Sequence, residues 1–295
     1  MAARIPKICN DLSDEDKDDS QAEYEELLPL FINLIKSLRD PDNKKQALLD
    51  LARLRAQLAI SHAFEGFDIE QDEAIKLINQ TEDLSELDEE KKKRLIAAIN
   101  NLIEFSVCEE YQLMTNIYKT LPDFDFDSDE FDTDDEEVME PLEELNKKYN
   151  LIYAGVENMD IEYAMMIALA WVSSGKEATL TYMTQNDDRV RPWHFALQGF
   201  SAKKDDFPSW MIPPIEWGCR CFLVDSNGDS VINQLDLHVF AKAPKKPKQI
   251  DDVFSESVAK CGRIFGKSHS YFKVGDKDKD ALKEMVELIK QDYYA

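Results

Sequence analysis

The sequence lacks any run of about 18 apolar residues, the length a helix needs to cross a bilayer core, so no membrane span is expected. It opens MAARIPKICNDLSDEDKDD, without the apolar stretch of a secretory leader. Cysteine is scarce. Five in 295 residues, an odd number, excludes a disulfide-framed fold and fits a reducing compartment at synthesis. Positive charge is also short, with 35 Lys and Arg against 60 Asp and Glu, for a net −25. The deficit is local. Residues 1–150 carry 17 basic and 39 acidic groups, whereas 151–295 carry 18 and 21. Such a chain cannot coat DNA along its length, because phosphate binding needs clustered Lys and Arg. The imbalance suits a basic partner surface, or serves solubility. What is present excludes a wholly disordered chain: hydrophobic residues make up 43% and aromatics 10%, enough for a real core.

The patterning predicts an α+β protein, a helical bundle followed by a compact, loop-rich α+β domain. Residues 1–22 read as a disordered acidic arm. Residues 23–121 read as the bundle. Leu27, Leu28, Phe31, Ile32, Leu34 and Ile35 recur at helical spacing. A second helix runs to Gly66, a short third covers 70–80, and a long fourth starts at Ser85, whose spacing to Asp88 resembles a capping pair. Between Asp123 and Glu140, 11 of 18 residues are acidic, so 122–141 reads as a solvated linker. Helical periodicity returns from 142 to 176 and gives way to a strand over 178–182. Pro, Gly, Asp and aromatic residues are dense beyond it. The loop-rich domain is placed at 142–275 and a C-terminal helix at 276–295.

The specific signal lies in that domain: Thr184-Gln-Asn-Asp-Asp-Arg-Val-Arg-Pro-Trp-His194, Leu197-Gln-Gly199, Trp210-Met-Ile-Pro-Pro214, Trp217-Gly-Cys-Arg-Cys221, Phe254 and Gly262-Arg-Ile-Phe-Gly-Lys-Ser-His-Ser-Tyr-Phe272. Together these resemble the phage Mu protein F family of minor head, or head-morphogenesis, proteins of tailed phages. Asp188, Arg189, Val190, Arg191, His194, Leu197, Gly199, Pro213, Pro214, Trp217, Gly218, Cys219, Arg220 and Cys221 carry the match. Ser270 stands where the family's last element has proline. The resemblance covers about 160–272 and implies a structural virion component, near the portal or carried as cargo. Phage portal or other head proteins would be its partners. It also implies a role in head assembly or DNA passage, and residence in the virion after assembly in the host cytoplasm. No membrane is implied.

Cys219 and Cys221, with His194 and His269, would suffice for a tetrahedral Zn²⁺ site, since residues i and i+2 of a strand face one way. The alternative is a structural staple in which the cysteines are buried small apolar groups and His194 bonds Asp188. Asp225, Asn227, Asp229, Asn233 and Asp236 fall at ligand positions of a Ca²⁺ loop, although Ser230 replaces the turn glycine. Asn227-Gly228 alone reads equally as a hairpin turn. Arg189, Arg191 and Arg220 either grip an anionic group or pair with Asp187, Asp188 or Glu216. Trp193, Trp210 and Trp217 read as core. The tail Gly266-Lys267-Ser268 mimics a phosphate loop, but Cys261 replaces its first glycine and no buried strand precedes it. Lys242, Lys245, Lys246 and Lys248 form a short basic strip, a linker or a local DNA contact. An enzyme or toxin module would have to occupy the N-terminal half, where no His, Ser or Cys cluster sits beside a base. No catalysis is therefore expected.

Overall fold

The computed structural model describes residues 14–121, 135–225, 240 and 242–294. It is an α+β protein with a small antiparallel sheet. The helices are α1 (Asp14–Lys36), α2 (Pro41–Gly66), α3 (Gln71–Asn79), α4 (Glu86–Thr120), α5 (Glu136–Lys147), α6 (Ala154–Ser173), the single turn α7 (Pro192–Phe195) and α8 (Lys279–Lys290). A π-helical stretch, Lys148–Tyr153, joins α5 to α6. The strands are β1 (Thr179–Met183), β2 (Ser201–Lys203) and β3 (Phe222–Asp225), in the order β2-β1-β3.

Two acidic segments differ from expectation. Residues 14–22, assigned to a disordered arm, are helical, and 136–141, assigned to a linker, open α5. A charge run reports contact with water, and one face of a helix supplies that as well as a coil does. On α1, Asp18 and Asp19 are exposed while Ser20, Tyr24 and Leu27 are buried. On α5, Asp135 caps the helix by accepting from the Glu137 amide at 3.0 Å, Glu136 and Glu137 suit the positive end of the dipole, and Met139 and Leu142 are buried. The capping pair at α4 forms as its spacing predicts. Ser85 Oγ accepts from the Asp88 amide at 3.1 Å and donates to the Asp88 carboxylate at 2.7 Å.

The chain divides into two compact units that interleave along the sequence. The first comprises Met1–Ser61, Leu102–Met159 and Ser270–Ala295, and the second His62–Asn101 and Asp160–His269. The expected division into an N-terminal bundle and a C-terminal domain therefore does not follow the packing, and α2, α4 and α6 each contribute to both units.

The first unit is helical, with a core that includes Phe31, Leu34, Leu51, Phe105 and Ile289, each worth about 1.5–3 kcal/mol of burial. Within it lies a polar centre. Arg55, without solvent exposure, donates from Nε to Glu109 at 3.0 Å, from Nη2 to Glu157 at 3.2 Å and from Nη1 to Asn158 at 3.1 Å. Glu110 is buried beside them and accepts from Asn150. One arginine thus meets three buried carboxyls.

In the second unit the end of α2 passes so close to α6 that a Cβ on Gly66 would lie 2.2 Å from the Glu162 carbonyl oxygen, and only glycine permits that approach. The sheet supports the site. Thr181 of β1 faces Ser201 of β2 and Val224 of β3, and Met183 faces Phe222.

Candidate functional site

The backbone turns out of β1 at Thr184, whose amide and hydroxyl both donate to the Gln198 side-chain oxygen, and runs through an exposed loop to α7. Pro192 at the first position of α7 suits a helix start, and the single turn carries His194 inward, 2% exposed. The chain then turns at Gly199 (φ 87°), whose amide donates to the Tyr182 carbonyl at 2.9 Å. Pro213-Pro214, joined by a cis peptide bond, is buried and leads through Ile215 to Glu216, Trp217, Gly218 and the two cysteines.

His194, Cys219 and Cys221 converge. Their nitrogen and sulfur atoms all lie within 4.8 Å of one another, with His194 Nδ1 at 3.8 Å from Cys219 Sγ and 3.4 Å from Cys221 Sγ. Both cysteines are 3% exposed. The other ring nitrogen, Nε2, meets Glu216 Oε2 at 2.8 Å, where Trp193 Nε1 also donates at 2.6 Å. Burial disfavours the imidazolium, but the Cys219 thiol and Glu216 outweigh it, so the His194 pKa is raised. Burial likewise opposes a Cys219 thiolate, yet hydrogen bonds from Cys221 and His194 prevail and lower its pKa. Cys221, facing that sulfur in a buried place, has its pKa raised.

Helix α6 clamps the loop that carries the cysteines. Both Asp160 carboxylate oxygens lie within reach of the Gly218 amide, at 3.0 and 2.9 Å. Three residues on, and so on the same helix face, Tyr163 donates to the Cys221 carbonyl at 2.8 Å. Gly218 needs its lack of a side chain, because its φ of 62° is left-handed. Burial raises the Asp160 pKa well above the usual carboxylate value, against the opposing Gly218 hydrogen bond.

The remaining predicted site residues separate. His269 is not among the converging atoms. It packs in an aromatic cluster with Trp217 (5.6 Å between centroids) and Phe265 (6.0 Å), where burial lowers its pKa to about 4. Trp217 also stacks on Phe265 and meets Phe254 edge-on. Asp188 is exposed, and the acid on His194 is Glu216 instead. Arg191 donates to the Trp217 carbonyl at 2.7 Å and lies 3.7 Å from Glu216, while Arg220 pairs with Asp187 at 2.9 Å. Arg189 is exposed, and its amide donates to Asp187. Of the calcium residues, Asp225 ends β3, and Asn227, Asp229, Asn233 and Asp236 lie outside the described residues. His62 meets Glu162 at 2.5 Å and Glu65 at 3.7 Å. The missed residues are Asp160, Tyr163 and the role of Glu216. Asp160 and Tyr163 share a helix face at i and i+3, the one signal that could have paired them.

This architecture defines a class before it suggests a role. A short strand, a one-turn helix and a glycine-cysteine loop are locked together by buried hydrogen bonds, and the motif residues form the lock. Residues 147–224 match the family model described as Phage Mu protein F like protein, and the chain carries a Phage Mu F-like region over that span. The Mu-like prophage FluMu F protein of Haemophilus influenzae is 50% identical over 42 residues, which is 14% of this chain and 10% of that relative. The match thus spans about a tenth of the relative's length. No solved structure matches the chain. His269 and the rest of the 262–272 element lie beyond the matched span.

Proposed function

We propose that this chain is a minor head, or head-morphogenesis, protein of a tailed phage, a structural virion component held near the portal by other head proteins. The observation that carries this reading is the state of the motif residues in the Mu F-like region. His194, Glu216, Cys219, Cys221 and Asp160 are buried and turned onto one another, which suits a rigid module that presents a surface. In this reading the buried cluster is structural, which its thiols and imidazole, 3% and 2% exposed, support. The acidic excess of residues 1–150 supports docking on a basic protein surface through complementary charge. No described helix is long and apolar enough to cross a membrane.

Quantitative mass spectrometry of purified virions from the phage that encodes the chain tests this. The expected result is a copy number far below that of the shell subunit. Absence from mature particles, with the protein present in infected cells, would overturn the virion assignment.

A further inference from the structure

We propose that His194 Nδ1, Cys219 Sγ and Cys221 Sγ are three ligands of a structural Zn²⁺ ion, with Glu216 fixing the imidazole from behind. The inference stands apart from the head-protein reading, since it rests on the donor atoms alone. Four observations converge on it. First, two sulfurs and an imidazole nitrogen lie within 4.8 Å of one another, and this soft set of donors suits zinc. Second, they are buried, where a thiolate is costly unless a cation shares its charge. Third, the unused nitrogen of His194 faces Glu216 Oε2 at 2.8 Å. With Nε2–H donating to that carboxylate, Nδ1 keeps its lone pair and points at the sulfurs, the arrangement that orients metal-bound histidines. Fourth, the Tyr182 hydroxyl is buried beside the Cys221 side chain and has no hydrogen-bond partner of good geometry. A metal-bound thiolate supplies the acceptor that a protonated thiol supplies poorly.

Binding is balanced by protons. Each cysteine that enters as a thiolate releases the proton it carried, and so does His194 if it was charged. The fourth corner of the tetrahedron is not furnished by this cluster, and His269 is not its source, because it packs against Trp217 and Phe265. The ion would tie the one-turn helix α7 to the loop entering β3, in a region with few backbone ladder bonds of its own.

The test uses the full chain, expressed with zinc and freed of loosely bound metal. Elemental analysis is expected to give about one zinc per chain, and X-ray absorption a shell of two sulfurs at about 2.3 Å with two nitrogen or oxygen atoms at about 2.0–2.1 Å. Because loss of the cysteines would itself unfold the loop, two variants carry the assignment. His194→Cys should keep the zinc and raise the sulfur count to three, whereas His269→Gln should leave metal content and shell unchanged. A folded wild-type protein without zinc, a zinc shell without sulfur, or loss of zinc in soluble His269→Gln with an unchanged sulfur count in His194→Cys would each overturn the proposal. A Cys219–Cys221 disulfide in protein isolated under reducing conditions would do the same.

Discussion

A single amide shows how much of the second unit rests on groups outside its motif. Asn101, buried on α4, donates from Nδ2 to the Phe265 carbonyl at 3.1 Å and accepts from the Phe265 amide at 2.8 Å. Asn101 thus satisfies both backbone groups of a residue in a stretch with no sheet to do so. Asn101→Ala leaves a buried donor and acceptor unpaired at once and should cost about 2–4 kcal/mol of stability, read as a lower urea midpoint. Residues of this kind are the illegible part of the site. His194, Cys219 and Cys221 stand out in the sequence because two cysteines one residue apart and an upstream histidine are rare and chemically specific. Asn101, Asp160 and Glu216 are common residues whose partners lie 22 to 164 positions away, and nothing local marks them. Chemistry alone groups His269 with the cysteines. The structure separates it because an imidazole is also a flat ring, and here the ring packs on Trp217.

At the scale of elements, long helices were legible and their polar centre was not. The apolar stripes of α1 to α4 recur at 3.6-residue spacing, so their existence and approximate ends follow from the pattern. A polar residue on an otherwise apolar face breaks that pattern and gives no sign of whether it meets solvent or another helix. Arg55 meets Glu109, Glu110 and Glu157 inside the first unit, and one arginine cannot balance three carboxylates. Burial, and then the Glu109 charge, push the Glu110 pKa up to about 8. The unfolded chain releases this proton near pH 4.5, whereas the folded protein holds it to about 8. The native state therefore binds more protons across that interval, and stability falls as pH rises through it, levelling off above. Glu110→Gln keeps the shape and the acceptor for Asn150 without the titration. Relative to wild type, it should gain about 2 kcal/mol or more between pH 5 and pH 8, measured by urea unfolding at both values.

At the scale of the whole molecule, patterning points to the α+β class that the structure has, whereas its compact units interleave along the sequence. The α+β content and the acidic N-terminal half are properties of the chain. Which segments pack together depends on contacts between distant residues, and these interleave. The consequence can be tested with a fragment. Residues 142–275, drawn as a domain from motifs and the acidic run before them, omit 62–101, which belongs to the same compact unit as 160–269. The fragment would lose the Asn101 bonds to Phe265, the Arg94 bond to the Ala259 carbonyl at 3.0 Å, the His62 contact with Glu162, and the close passage of Gly66 along α6. It would also lose the buried side chains of Ile78, Leu95 and Ile99. At about 1.5–3 kcal/mol for each large buried side chain and about 1 kcal/mol for each hydrogen bond, those losses are comparable with the roughly 5–15 kcal/mol that holds a typical domain folded. Fragment 142–275 is therefore expected to be insoluble or to keep helical far-ultraviolet dichroism without near-ultraviolet signal, while the full chain unfolds cooperatively. A soluble fragment with a sharp melting transition would mean that the motif-bearing segment folds without α3 and the start of α4, and that the boundary drawn from sequence was the physical one.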